Sequence, residues 1–167
     1  MELKQKQLPV LGWREWVALP DLGVNKIRCK VDTGARTSAL HAFYLEEFTE
    51  NGDLMLRFGL HPKQGNTTKE LHCEAKVLEQ REVTDSGGHT ERRYVIRTNV
   101  VLGKSIWPIE MTLTNRDTMR FRMLLGRTAI ADYFLVDSAG SHLQGLPGKN
   151  PAALPLLSYL HDAGEEE

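Results

Sequence analysis

The stretch CKVDTGARTSALHA (residues 29–42) decides the fold, because an alternating apolar run ends there in Asp-Thr-Gly-Ala. Residues 24–31 alternate apolar with basic side chains, which is typical of a strand with one buried face. Asp32 stands where this strand ends, and Gly34 lets the backbone turn sharply behind it. The hydroxyl side chains that follow can orient the carboxylate; they belong to Thr33, Thr37 and Ser38. The tripeptide is also common in Asx-type turns, so it needs support from elsewhere in the chain.

Composition narrows the class of protein. The 167 residues fit one domain, and a formal net charge of −1 gives no general attraction to nucleic acid or anionic lipid. The basic stretches 91–97 and 115–122 alternate with apolar residues and are interpreted as solvated strand faces. Cys29 and Cys73 are too few for a disulfide scaffold and are expected as reduced thiols. No signal peptide and no membrane span is apparent, so we expect a soluble cytoplasmic protein without nucleic-acid or membrane partners.

Period-two patterning predicts a mainly antiparallel β domain of short strands, closed or nearly closed into a barrel, with one short helix. A Gly-Gly turn is predicted at residues 84–91, and the helix at residues 126–134. The predicted strands are 14–20, 24–31, 51–60 (after an initial turn), 70–83, 92–102, 105–113 and 134–137. Residues 1–140 are assigned to this domain, and residues 141–167 to a Gly/Pro-rich extension, partly mobile, with one helical turn around Leu154–Leu160.

A second motif lies near the carboxyl end, in RMLLGRTAI (residues 122–130), where two leucines precede Gly126 and Arg127. The chain resembles the retropepsin-like aspartic peptidases, which have in the same order an Asp-Thr-Gly-Ala loop, a Gly-rich hairpin and a late apolar-apolar-Gly motif. More narrowly, VDTGARTSALHA with the later LLGR is similar to a bacterial family named "ATP-dependent zinc protease", which includes the RimB-like proteins. These RimB-like proteins are encoded beside an ATP-grasp ligase that glutamylates a ribosomal protein. The resemblance covers residues 10–140.

The resemblance implies a retropepsin-like closed or orthogonal β-barrel and a role for each matching residue. Asp32 becomes the catalytic acid of a peptidase, and the hairpin around Asp85–Thr90 becomes the flap over the substrate. Gly87 and Gly88 give this hairpin hinge freedom. The residues that hold the acid loop are Thr33, Gly34, Ala35, Thr37 and Ser38, and those that pack behind it are Leu125, Gly126 and Arg127.

The chemistry of this class needs two carboxylates that share one water, and the chain contains a single Asp-Thr-Gly. The second acid must come from another subunit, so we predict a homodimer with Asp32 of each subunit at the interface. Retroviral enzymes place an acid after this motif that pairs with the late arginine, whereas this chain has Arg36. Arg36 either contacts acidic peptides, such as the glutamate tail of a glutamylated protein, or is a solvated loop residue.

Metal and nucleotide signals are weak, and we predict no cofactor. No H-E-x-x-H motif is present among the six histidines, which are expected at the surface. A dispersed zinc site built from His41, His72 and an acid is the remaining metal hypothesis. No P-loop motif is present, so any ATP dependence would act through a partner such as an ATP-grasp ligase. The non-enzymatic alternative is a module that holds an extended peptide by strand addition without cutting it.

Overall fold

A computed structural model describes residues 8–84, 87–116 and 120–155, and strands are its main secondary structure. A single turn of 3-10 helix occupies Pro20–Leu22, and one short helix, α1, occupies Arg127–Ile130. The strands are β1 (Val10–Leu11), β2 (Arg14–Leu19), β3 (Val24–Asp32), β4 (Ser38–His41), β5 (Tyr44–Glu50), β6 (Asp53–Leu60), β7 (Leu71–Lys76), β8 (Glu79–Thr84), β9 (Thr90–Leu102), β10 (Ser105–Thr114), β11 (Met123–Gly126), β12 (Leu135–Val136) and β13 (Ala152–Ala153).

The main sheet has eight strands in the order β13-β10-β4-β11-β3-β2-β9-β8, and β10 also pairs with β9. This extra pairing links β10, β4, β11, β3, β2 and β9 into a ring. The ring is irregular, because β2 and β9 meet through the single pair Ala18–Val101. A separate three-stranded sheet, β5-β6-β7, and the parallel pair β1-β12 complete the fold. The prediction of a mainly β fold with one short helix is confirmed, whereas the sheets do not close into a clean barrel.

Strand β3 connects the core to the acid loop, and its burial follows the sequence pattern. Ile27, Cys29 and Val31 are buried, while Lys26 and Lys30 on the other face are exposed. Each fully buried aliphatic side chain of this kind contributes about 1.5–3 kcal/mol to stability. Because the buried face continues to Val31, the next residue along the strand is held at a fixed position at the strand end.

The two cysteines are free and buried, as expected for reduced thiols. Burial raises the pKa of Cys29 to about 12 and that of Cys73 to about 11. The thiolate is the reactive form of cysteine, so neither residue has the character of a nucleophile or a metal ligand.

Two predicted elements are wrong in extent. The strand predicted at residues 70–83 is two strands in different sheets, because the Val77 N–H donates to Leu54 while the Leu78 N–H donates to Val95. The chain thus passes from the three-stranded sheet to the main sheet between Val77 and Leu78. The helix predicted at residues 126–134 is limited to Arg127–Ile130, since Gly126 belongs to β11.

Strand β4 was not predicted at all. Its four residues are buried and lie between β10 and β11 in the middle of the main sheet. A strand buried on both faces has no polar–apolar alternation, so the usual periodicity signal is missing.

Residues 141–155 contact the rest of the fold closely. The Leu143 and Gln144 N–H groups donate to the buried carboxylate of Glu15, and Ala152–Ala153 pair in parallel with Ser105–Ile106. The predicted domain boundary after residue 140 stays a prediction. Most of the helical turn predicted around Leu154–Leu160 lies outside the described residues. Within the described ranges, no helix has the length and apolar character needed to cross a membrane.

Candidate active site

Asp32 is the last residue of β3 and is half-buried. Its Oδ1 accepts hydrogen bonds from the backbone N–H of Gly34, at 3.1 Å, and of Ala35, at 3.2 Å. Within the described residues, no hydrogen bond reaches Oδ2. The loop therefore fixes the orientation of the carboxylate through one oxygen and leaves the other for a further partner.

Strand β11 runs parallel to β3 and places Gly126 beside Asp32 and Leu125 beside Val31. A Cβ atom at Gly126 would lie only 2.6 Å from the carbonyl carbon of Thr37. Glycine is therefore required here by close packing against the loop backbone. Leu125, with no exposed surface, anchors β11 in the core below. Gly126 of the late motif therefore lies directly against the backbone of the acid loop.

The residues that follow Gly126 hold the carbonyl groups of the acid loop. The Arg127 N–H donates to the Ala35 carbonyl at 2.7 Å, and its guanidinium reaches the Thr33 carbonyl at 3.4 Å. Thr128 donates twice to the Arg36 carbonyl, from its N–H at 3.1 Å and from its hydroxyl at 2.8 Å. Sequence reasoning missed Thr128, although a hydroxyl residue directly after Gly-Arg was the available signal.

The hydroxyl groups predicted to orient Asp32 have other roles. Ser38 is 1% exposed, and its hydroxyl accepts the Gly126 N–H at 2.9 Å, joining the two motifs. The Thr37 hydroxyl lies 3.5 Å from the guanidinium of Arg81, and Thr33 contributes its carbonyl rather than its hydroxyl. Backbone N–H groups orient the acid instead, because the loop curls back over its own first residue.

Gly34 also differs from expectation. Its backbone does not adopt the left-handed region, and a Cβ atom there would meet only Oδ1 of Asp32, at 3.4 Å. The turn therefore does not require glycine for its backbone angle or for lack of space.

The predicted flap corresponds to the β8–β9 hairpin, in which Thr84 and Thr90 form the last described pair. Gly87 and Gly88 lie in its turn, and Gly88 has a positive φ of 85°. Asp85, with Ser86, lies outside the described residues. The base of this hairpin is tied to the acid loop, because Arg81 on β8 bonds both Thr37 and, at 3.1 Å, Glu110 on β10. Arg81 was not identified from the sequence.

Arg36 is exposed at the outer side of the acid loop. Among the described residues its guanidinium has no ion pair or hydrogen bond, while its carbonyl is held by Thr128. Arg36 stands where the retroviral enzymes have an acid, and the Arg127 guanidinium reaches the Thr33 carbonyl.

The expectation of surface histidines is wrong for His41 and His61, which are 3% and 6% exposed. His41 on β4 bonds the Thr114 hydroxyl through Nδ1 at 2.5 Å. Burial, followed by the charges of Arg93, Arg116 and Arg122, lowers the pKa of His41 to about 4.

The basic stretches are likewise not simply solvated strand faces. Arg122 is 5% exposed, and the Arg93 side chain is 13% exposed and paired with Glu91 at 2.6 Å. These guanidiniums lie around a buried part of the sheet rather than along an open face.

The dispersed zinc site is not assembled. His41 bonds Thr114 in the main sheet, whereas His72 bonds the hydroxyl of Tyr44 in the three-stranded sheet at 2.9 Å. In the part of the chain that the structure describes, no three His, Cys, Asp or Glu side chains are grouped as metal ligands.

Comparison with known proteins identifies the family. A model of the RimB-like family, described as "Retropepsin-like aspartic endopeptidase RimB", matches residues 10–146. The chain belongs to the RimB-like family. The resemblance inferred from the acid loop and the late Leu-Leu-Gly-Arg motif is thereby confirmed, and both motifs lie inside the matched range.

Curated relatives of this RimB-like chain bear a different name. A "Probable alpha-L-glutamate ligase" of Parasynechococcus marenigrum (strain WH8102) is 48% identical over 136 residues, which are 81% of this chain and 29% of that protein. Another, from Shewanella pealeana (strain ATCC 700345 / ANG-SQ1), is 45% identical over 139 residues, which are 83% of this chain and 30% of that protein. The chain thus spans about 30% of the length of these relatives.

A solved structure shares the fold. The crystal structure of Lpg0085, a protein with unknown function (DUF785) from Legionella pneumophila subsp. pneumophila str. Philadelphia 1, has 28% identity and a TM-score of 0.67. The similarity covers 81% of this RimB-like chain and 98% of the Legionella chain. The arrangement of strands is therefore common to both proteins.

Proposed function

We propose that this chain is an aspartic peptidase that acts as a homodimer, with its catalytic centre formed by Asp32 of both subunits. The observation that carries the proposal is the acid loop, in which Gly34 and Ala35 fix Oδ1 of Asp32 while Gly126 closes the loop from behind. The RimB-like family is described as retropepsin-like, which supports the same reaction. A single chain supplies one such acid, so the dimer completes the site.

In this proposal, the two carboxylates share one proton and hold a water between them. Like charges at short distance cannot both ionise easily, so one acid stays neutral while the other accepts the proton of the water. The water attacks the peptide carbonyl, and the neutral acid donates its proton to the carbonyl oxygen, which gives a tetrahedral diol. The acid that took the water's proton then passes it to the amide nitrogen while a diol hydroxyl returns a proton to the other carboxylate, and the C–N bond breaks to release the carboxylic acid and the amine. The two apparent pKa values belong to the pair. The chain's own backbone groups keep both carboxylates oriented during the exchange.

The proposed substrate is an acidic peptide segment, such as the glutamate tail of a glutamylated protein. Support comes from Arg36, whose exposed guanidinium on the acid loop has no ion pair with any described residue. The relatives named as probable glutamate ligases are consistent with a chain that acts near glutamate-bearing proteins. The β8–β9 hairpin would cover the bound peptide, with Gly87 and Gly88 in its turn.

The decisive experiment combines oligomeric state with activity. Sedimentation should give a dimer, and oligoglutamate and general peptides should be cleaved by wild type but not by Asp32→Ala. Mixed dimers of wild-type and Asp32→Ala subunits should also be inactive, because each site needs both acids. A monomer that cleaves peptides, or activity that survives Asp32→Ala and is abolished by a chelator, would overturn the proposal in favour of metal chemistry.

A second candidate is a non-catalytic peptide-binding module that serves a glutamate ligase. The observation that favours it is the length of the relatives, in which the matched region is about 30% of a protein named as a probable ligase. Asp32→Asn separates the two candidates: the peptidase loses cleavage, while a binding module has no cleavage to lose and keeps its affinity for the peptide. The absence of a cofactor, the cytoplasmic location and the lack of a nucleic-acid partner stay predictions.

A further inference from the structure

A cleft of about 410 Å³ lies at the far end of β3 from the acid loop. It is formed where the start of β3 meets the β6–β7 connection and residues 146–147. Lys26 lines it near the start of β3, whereas Asp32 is the last residue of that strand. Six residues of extended chain separate the two positions by about 20 Å. The cleft is therefore separate from the candidate active site.

Three lysines line this cleft: Lys26, Lys63 and Lys69. All three are exposed, and no carboxylate of the described residues lies within ion-pair distance of them. No acidic residue is among the described residues that line the cleft. In a chain with a net charge of −1, the three ammonium groups are therefore a local excess of positive charge in this lining.

Arg28, two residues after Lys26 on β3, adds a further positive charge near the cleft. Arg28 bonds the side chain of Gln64 at 2.7 Å, so its charge is matched by a neutral amide and not by an acid. Both Lys26 and Arg28 lie over the ring of Trp16, at 5.0 and 4.6 Å from its centroid. The Arg28–Gln64 bond joins the loop that carries Lys63 to β3, and the Trp16 ring contacts the Lys26 ammonium group.

Apart from Asn25, the other side chains of the lining are apolar. Leu71 and Pro62 contribute to the cleft together with Leu146, which is 61% exposed. The volume is in the range of a small organic ligand and exceeds what one inorganic anion occupies. The three ammonium groups, at separate positions, can each pair with a carboxylate, while the apolar side chains can contact aliphatic carbons. A ligand with several carboxylates along a partly aliphatic chain matches both features.

We propose that this lysine cleft is a binding site for an acidic peptide segment, separate from Asp32. The segment would belong to a protein that presents a run of glutamate or aspartate residues. The proposal does not rest on the peptidase activity, because the cleft can hold such a segment whether or not Asp32 cleaves it. If the peptidase proposal is also correct, the cleft would hold a substrate at a second point away from the catalytic acids.

The test is the binding of a fluorescein-labelled hexaglutamate peptide, measured by anisotropy, with a hexaglutamine peptide as the uncharged comparison. We expect Lys26→Ala/Lys63→Ala/Lys69→Ala to weaken binding about tenfold or more. The control Lys30→Ala/Lys104→Ala/Lys149→Ala removes the same charge from other exposed positions and should change affinity less than about threefold. All of these variants are measured in the Asp32→Asn background, so that cleavage of the peptide by the proposed peptidase does not change the anisotropy and binding is tested apart from catalysis.

Further measurements localise the binding. Backbone amide shifts of wild type should move at Gly23, Asn25 and Leu71, even if the triple variant folds poorly. Affinity should fall when NaCl is raised from about 50 to about 300 mM, because exposed charges are screened. The proposal is wrong if the lysine triple variant binds like wild type or if Arg36→Ala alone removes binding. It is also wrong if inorganic phosphate competes as strongly as the peptide.

Discussion

Two carboxylates in this molecule are both held by backbone N–H groups, yet they differ in setting. Asp32 is half-buried at a strand end, and one of its oxygens accepts bonds from its own loop. Glu15 has no exposed surface, and its two oxygens accept N–H groups from Gly12 at 2.7 Å, Leu143 at 2.9 Å and Gln144 at 3.1 Å. The first arrangement leaves an oxygen for a reaction, whereas the second uses both oxygens to join distant parts of the chain.

The comparison shows how the same interaction gives either a reactive or a structural group. A carboxylate whose bonds come from one short loop can be reached from outside, and its loss costs the fold little. A carboxylate that satisfies buried N–H groups from two segments cannot be removed without leaving those donors unpaired. The two carboxylates are distinguished by their solvent exposure and by which segments of the chain supply their N–H donors.

Asp32→Asn should give the largest effect on function. We expect peptide hydrolysis to fall by about 10³-fold or more, because the variant cannot exchange the proton with water. The unfolding free energy should change by less than about 1 kcal/mol, since the amide oxygen still accepts the Gly34 and Ala35 N–H groups. Hydrolysis rates and denaturant unfolding of the same preparation measure both. A large loss of stability would make Asp32 a structural residue like Glu15.

Glu15→Ala should give the largest effect on stability. It leaves three N–H groups without their acceptor, so we expect a loss of about 3 kcal/mol or more in the unfolding free energy. Glu46→Ala, which removes an exposed carboxylate paired with Arg57, is the control and should cost about 1 kcal/mol or less. Equal losses in the two variants would mean that the backbone bonds of Glu15 contribute no more to stability than an exposed ion pair does.

Acidification should destabilise the protein through His41. Its pKa is lowered to about 4 in the fold, against about 6.5 when unfolded, so the unfolded state binds the extra proton first as the pH falls. The neutral form therefore contributes stability that is complete above pH 6.5 and is lost between about pH 6.5 and 4, by up to about 3 kcal/mol.

The measurement is the unfolding free energy of wild type and His41→Asn across that pH range. The variant should lack this part of the pH dependence, whatever its stability at neutral pH. Parallel curves would show that other groups cause the acid sensitivity. The result also bears on Asp32, because activity measured below pH 6.5 must be corrected for the fraction of the protein that has unfolded.

Two glycine variants test which part of the site fixes Asp32. Gly126→Ala places a methyl group against the backbone of Thr37, so we expect a cost of about 1–3 kcal/mol and slower hydrolysis as the loop shifts. Gly34→Ala meets only an ordinary contact with Asp32 and should cost less than about 1 kcal/mol. Thermal unfolding with activity assays measures both. The reverse order would mean that the loop itself, and not the packing behind it, sets the position of the acid.

The alternation of β3 and the turn after Asp32 were predicted from residues close together in the chain, whereas the packing of the late motif behind the acid loop was predicted from the family resemblance. It did not predict β4, because a strand buried on both faces lacks alternation. It also placed one strand across Val77 and Leu78, where the chain changes sheets. Thr128 and Arg81 were missed, since their partners lie far away in the sequence.

By itself the sequence determined a mainly β chain with one candidate acid at a strand end, because local alternation and the glycine motifs encode both. Only the tertiary structure decided that backbone N–H groups, and not the neighbouring hydroxyls, orient Asp32. Likewise, only the fold brought Glu15 to Leu143 and Gln144, and the lysines of the cleft to one another. These groups lie far apart along the chain, and their meeting depends on how sheets pack and pair, which no short window of sequence records.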